Sequence, residues 1–84
     1  MPKLRKKQVV IEAVRWYGDS DSLWEIAQMG AFVSMKNGNL VVQTIDGETT
    51  INVGDWIIKG VKGEFYPCKP DIFNATYEVV DEDA

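Results

Sequence analysis

Eighty-four residues and 9.5 kDa make one small domain, because dividing the chain would leave two cores each too small to hold a fold. Hydrophobic residues at 45% and charged residues at 26% exclude a disordered or collagen-like chain, and no apolar run approaches the roughly 20 residues that cross a bilayer. A single cysteine excludes an internal disulfide, and the absence of histidine removes the commonest acid–base residue and metal ligand.

The net charge of -4 is unevenly spread. Lys3, Arg5, Lys6 and Lys7 crowd the start, and Glu78, Asp81, Glu82 and Asp83 crowd the end. Between them lie five basic and nine acidic residues, so the body is acidic. Phosphate neutralisation wants the opposite balance, which disfavours nucleic acid as a partner. Residues 1–7 read as a solvated basic arm and 81–84 as a flexible acidic tail on a single 1–84 domain. No apolar stretch or small-residue cleavage site follows the basic start, so no secretory signal is expected.

In chain order, Gln8–Trp16 (QVVIEAVRW) is rich in β-branched and aromatic residues and predicts a strand with apolar side chains on both faces, as a central strand has. Glu12 and Arg15 on it then need solvent or partners. Ser22-Leu23-Trp24-Glu25 matches a capping box and predicts a helix from about residue 22 to Met29, stopped by Gly30. Leu23, Ile26 and Ala27 form its apolar stripe, and so short a helix must lie on the sheet. Asn37-Gly38 between AFVSMK and NLVVQTI is the strongest short-range hairpin signal, and Asp46-Gly47 repeats it before ETTINV. Trp56-Ile57-Ile58 and Glu64-Phe65-Tyr66 predict two more strands joined through Gly60 to Gly63. Pro70 suits the first position of a helical turn over residues 70–74, and Thr76–Val80 predicts a closing strand able to pair with the first. The expected fold is α+β: a mostly antiparallel sheet of about six strands, curled or partly closed into a barrel, with one short α-helix after the first strand.

Chemistry-bearing constellations are few. Cys68 has no histidine to hold it as a thiolate and reads as a small hydrophobe between prolines. The carboxylates lack calcium-loop spacing, Asp19 and Asp21 read as helix-start residues, and the glycines match no phosphate-binding pattern. We therefore expect no catalytic residue, no metal and no cofactor. Of the nine aromatic residues, Trp16, Trp56, Phe65 and Phe73 are expected inside, while Trp24 stands between the core margin and an exposed anchor. Tyr66, beside Pro67, is the other candidate surface aromatic.

The run VGDWIIKGVKGEFYPCKPDIFNATYEVV over residues 53–80, with IEAVRW over 11–16, resembles a widespread family of small phage and prophage proteins of unknown function. These segments cover about two fifths of the chain. The resemblance implies a phage or prophage origin and a place in the bacterial cytoplasm, and implies no activity and no site residue. Within the signature, Gly54-Asp55 reads as a tight turn closed by its aspartate, and Gly60, Gly63, Pro67 and Pro70 set the path of the chain. Lys59, Lys62, Glu64, Tyr66, Lys69 and Asp71 are the positions that folding does not demand, and together with Trp24 they make the candidate binding surface. The expectation is a small non-enzymatic accessory protein that binds a host or phage macromolecule, with a protein partner and no membrane. The acidic body favours a basic partner. The alternatives are a small-ligand pocket between helix and sheet near Lys59, Lys62 and Tyr66, and a virion or assembly component; free edge strands leave room for a homodimer.

Overall fold

The computed structural model describes residues 2–3 and 10–78. Their elements are β1 (Glu12–Arg15), α1 (Ser20–Gln28), β2 (Val33–Lys36), β3 (Asn39–Thr44), β4 (Gly47–Ile51), β5 (Trp56–Lys59), β6 (Phe65–Cys68) and α2 (Pro70–Thr76). The strands form two antiparallel three-stranded sheets, ordered β1-β5-β6 and β2-β3-β4. The class is α+β, but the single curled sheet or barrel of about six strands is replaced by two open sheets. Alternation of side chains in each sheet sends one face inward. Trp16, Ile26, Met29, Ala31, Leu40, Val42, Ile51 and Ile57 meet there in one core drawn from both sheets and α1. Ile26, Leu40, Val42 and Ile57 are fully shielded, each burial contributing roughly 1.5–3 kcal/mol. Beyond the core, the sheets touch where the Ile45 N–H donates to the Phe65 carbonyl at 3.1 Å.

The β2–β3 hairpin turns on Asn37 at φ 54 and Gly38 at φ 80, the paired positive values that suit the twist of the flanking strands. The next hairpin differs from expectation. Thr44 pairs with Gly47, which leaves Ile45 and Asp46 as the turn and Gly47 alone at positive φ, so the Asp-Gly pair ends the turn rather than forming it.

Helix α1 starts two residues earlier than predicted. Its cap is Asp19, whose carboxylate accepts the Ser22 N–H at 2.9 Å, rather than Ser22 with Glu25. An aspartate three residues before a free N–H competes with serine for the same role and here holds the serine hydroxyl as well.

The predicted first strand is a short edge strand. β1 pairs with β5 alone, Val10 and Ile11 lie outside it, and residues 8 and 9 lie outside the described residues. The strand covered on both faces is β5: Ile57 faces the shared core, while Ile58, only 6% exposed, is shielded on the opposite face. That outer face carries Ala13, Arg15, Trp56, Ile58, Tyr66 and Cys68, because directly paired residues share a side.

The closing strand is overturned where it is described. Pro70–Thr76 is a two-turn helix capped by the Tyr77 N–H on the Phe73 carbonyl at 2.9 Å, and Tyr77 and Glu78 are not strand. Phe73 and Tyr77 stand four residues apart and bring their rings to 5.1 Å, a contact that helical spacing makes and extended backbone would break. Residues 79–80, the basic arm from residue 4 onward and the acidic tail at 81–84 lie outside the described residues.

Candidate functional site

The beginning of α1 gathers charge and aromatic surface. Asp19 accepts from both the hydroxyl and the N–H of Ser22, and the Ser22 oxygen accepts the Tyr17 N–H at 3.1 Å. These bonds, the hydroxyl first, hold the Asp19 carboxyl below its usual range. Asp21 follows in the first turn, where the positive end of the helix favours an acid, and Glu25 lies one turn later. Trp24 neighbours Asp21 on the same helical surface and is 65% exposed, and Tyr17 is 61% exposed. Of the two positions expected for Trp24, the exposed one is observed.

Beside this helix lies a half-open hollow of about 250 Å³, lined by Arg15, Tyr17, Asp19, Asp21, Glu25 and Trp56 among others. The Arg15 guanidinium donates through Nε to the Gly54 carbonyl at 3.0 Å and sits over the Tyr17 ring at 5.6 Å. Three carboxylates against one guanidinium leave the lining negative. Neither Lys59, Lys62 nor Tyr66 lines it, although these were the residues expected around a pocket between helix and sheet.

The seven predicted surface residues fall in three separate places. Trp24 stands on α1. Lys59, Lys62, Glu64 and Tyr66 surround the tip of the β5–β6 hairpin, where the Glu64 carboxylate accepts the Lys62 N–H at 3.0 Å. Glu64 and Tyr66 also lie close over Gly60, so that a Cβ there would meet the Tyr66 ring at 2.9 Å. Both therefore serve the hairpin as well as its surface. Lys69 and Asp71 stand at the other end of β6, at the entry to α2. Lys69 Nζ reaches the buried Asp55 carboxylate at 3.4 Å, and the same oxygen accepts the Asn52 N–H at 3.3 Å. Asp55 closes its turn as expected and Lys69 balances its charge, an assignment that folding does require.

Cys68 adjoins this corner. Burial pushes its thiol up from the ordinary range, and Asp71 and Asp55 push it further. Trp56 stacks on Phe73 with 3.8 Å between ring centroids, and its indole N–H is buried without a partner among the described residues.

Sequence reasoning passed over Arg15, Tyr17 and Glu25 as site residues and read Asp19 and Asp21 as helix-start chemistry only. Asp21 and Glu25 stand four residues apart, one turn of helix, with Trp24 three residues after Asp21, which was the available signal. Among the described residues, no three Cys, Asp or Glu side chains come together to hold a metal ion, and no helix is long and apolar enough to cross a membrane. No family model, no curated protein and no solved structure matches this chain.

Proposed function

We propose that this chain is a small non-enzymatic accessory protein of phage or prophage origin that works in the bacterial cytoplasm by binding a basic segment of a host or phage protein. The observation that carries the reading is Trp24, a large aromatic left 65% exposed on α1 beside Asp21 and Glu25. Tryptophan is enriched among the residues that carry interface binding energy, and a flanking rim of one charge sign selects the partner's sign and speeds encounter. Tyr17 and the acidic hollow extend the same surface. The raised Cys68 thiol stays protonated near neutral pH, which supports binding over nucleophilic chemistry. The hollow is smaller than most ligand pockets and half open, which favours a protein segment over an enclosed metabolite.

Affinity capture from expressing bacterial cells tests the reading. The wild-type protein should retain a partner in stoichiometric amount, less of it as salt rises, and Trp24→Ala should release it. Retention by Trp24→Ala with loss in Lys59→Ala/Lys62→Ala would move recognition to the hairpin tip and defeat the proposal.

A further inference from the structure

The alternation of ladder bonds shows which backbone groups each edge strand offers to a neighbour. The Gln43 N–H donates to the Phe32 carbonyl at 3.0 Å, and Ser34 pairs with Val41 and Lys36 with Asn39. Hydrogen-bonded pairs alternate along an antiparallel ladder, so Phe32, Ser34 and Lys36 turn their backbone toward β3 while Val33 and Met35 turn theirs outward. The same count on β4 leaves Glu48 and Thr50 outward. On β6, Phe65 and Pro67 face outward, but the Phe65 carbonyl is taken by Ile45 and Pro67 has no N–H to give. On β1, Ala13 and Arg15 turn outward by the same count. The edges of β1, β2 and β4 therefore carry open donors and acceptors among the described residues.

The three edges differ in what surrounds them. β1 presents Ala13 and the charged Arg15, and β4 presents polar Glu48 and Thr50. Along β2, Phe32 is 82% exposed and Met35 is 48% exposed, so the open backbone groups coincide with uncovered apolar side chains. Lysine commonly guards an edge, yet the Lys36 charge is already answered by Glu48, 2.7 Å away across β3.

We infer that β2 pairs antiparallel with β2 of a second copy of this chain, about a two-fold axis at Ser34. This register uses every outward group: Val33 and Met35 of one copy bond to Met35 and Val33 of the other through four hydrogen bonds. Ser34 meets its own counterpart in a non-hydrogen-bonded pair. Phe32 lies opposite Lys36 of the other copy, where a ring can cover the lysine stem and face its charge. Val33 against Met35 extends the inner apolar face, since Val33 already packs on the core. The two Lys36 side chains fall at opposite ends of the pairing, so no like charges meet. A five-residue strand pair buries less than the roughly 1,200 Å² of stable complexes, so the dimer forms reversibly as concentration rises.

Sedimentation velocity from low micromolar to near-millimolar concentration should show a monomer passing to a dimer. Ser34→Lys sets two ammonium groups opposite each other at an exposed position; it should abolish the dimer while circular dichroism stays unchanged. Ser34→Cys in a Cys68→Ser background should yield a disulfide-linked dimer on mild oxidation, because that pair brings Cβ atoms within bridging range. A wild-type monomer at every concentration overturns the inference. So does a dimer that survives Ser34→Lys, which assigns pairing to another surface.

Discussion

The Trp56 indole and the Phe73 ring lie face to face, 3.8 Å between centroids and 3° from parallel. This stack docks α2 on the outer face of the β1-β5-β6 sheet. The helix buries no residue fully and has no side-chain cap, so little else holds it besides the Lys69–Asp55 pair at its entry. Phe73→Ala should cost about 2 kcal/mol in chemical denaturation and raise amide exchange over residues 70–76 toward unprotected rates, leaving β5 protected. Trp56→Phe keeps a ring for the stack and removes the unpartnered N–H, so it should cost less than Phe73→Ala.

Ser22 joins three groups at the start of α1, and its loss should be felt beyond the helix. Ser22→Ala removes the acceptor of the Tyr17 N–H as well as a donor to Asp19, costing about 1–2 kcal/mol by urea unfolding. Asp19 adds a pH dependence of definite sign. Its folded carboxyl titrates below the ordinary aspartate value of 3.8, so its stabilisation is present above that value and fades as pH falls through the lower folded one. The stability difference between wild type and Asp19→Asn should therefore be constant above about pH 5 and shrink below pH 3.8.

Cys68 should be a slow thiol. Burial, then Asp71 and Asp55, raise its titration, so iodoacetamide at pH 8 should label it more slowly than free cysteine. Asp71→Asn removes one of the lesser causes and should give a modest acceleration. Labelling faster than free cysteine would contradict the assigned electrostatics.

Gly60 is constrained by space. An alanine methyl would meet the Tyr66 ring at 2.9 Å and displace the Glu64 carboxylate from the Lys62 N–H. Gly60→Ala should cost about 1–3 kcal/mol in thermal or chemical unfolding. An unchanged stability would show that the hairpin tip yields freely.

Local chemistry made part of this fold legible. Asn37-Gly38 needs nothing beyond its own backbone to announce a hairpin, and Pro70 likewise marks the first turn of α2. What failed depends on distant partners. Whether QVVIEAVRW lies at the centre or the edge of a sheet is decided by β5 and β6, some forty to fifty residues away. Thr76 and Tyr77 are rich enough in β propensity to suggest a strand, yet the Phe73–Tyr77 contact and the Trp56 stack draw the segment into a helix. The site divides in the same way. The angle of Trp24 off the Leu23–Ile26 stripe left it between the core margin and the surface, a choice the packing of α1 decides, and the position of Arg15 at Tyr17 and Gly54 required the turn to be folded against β1.

Recognition through the exposed face of α1 is the central claim, and backbone chemical-shift mapping with the captured partner tests it most directly. The account predicts that the largest shifts fall within Tyr17–Gln28, around Trp24, Asp21 and Glu25. Shifts centred on the Gly60–Glu64 hairpin, with α1 undisturbed, would contradict it.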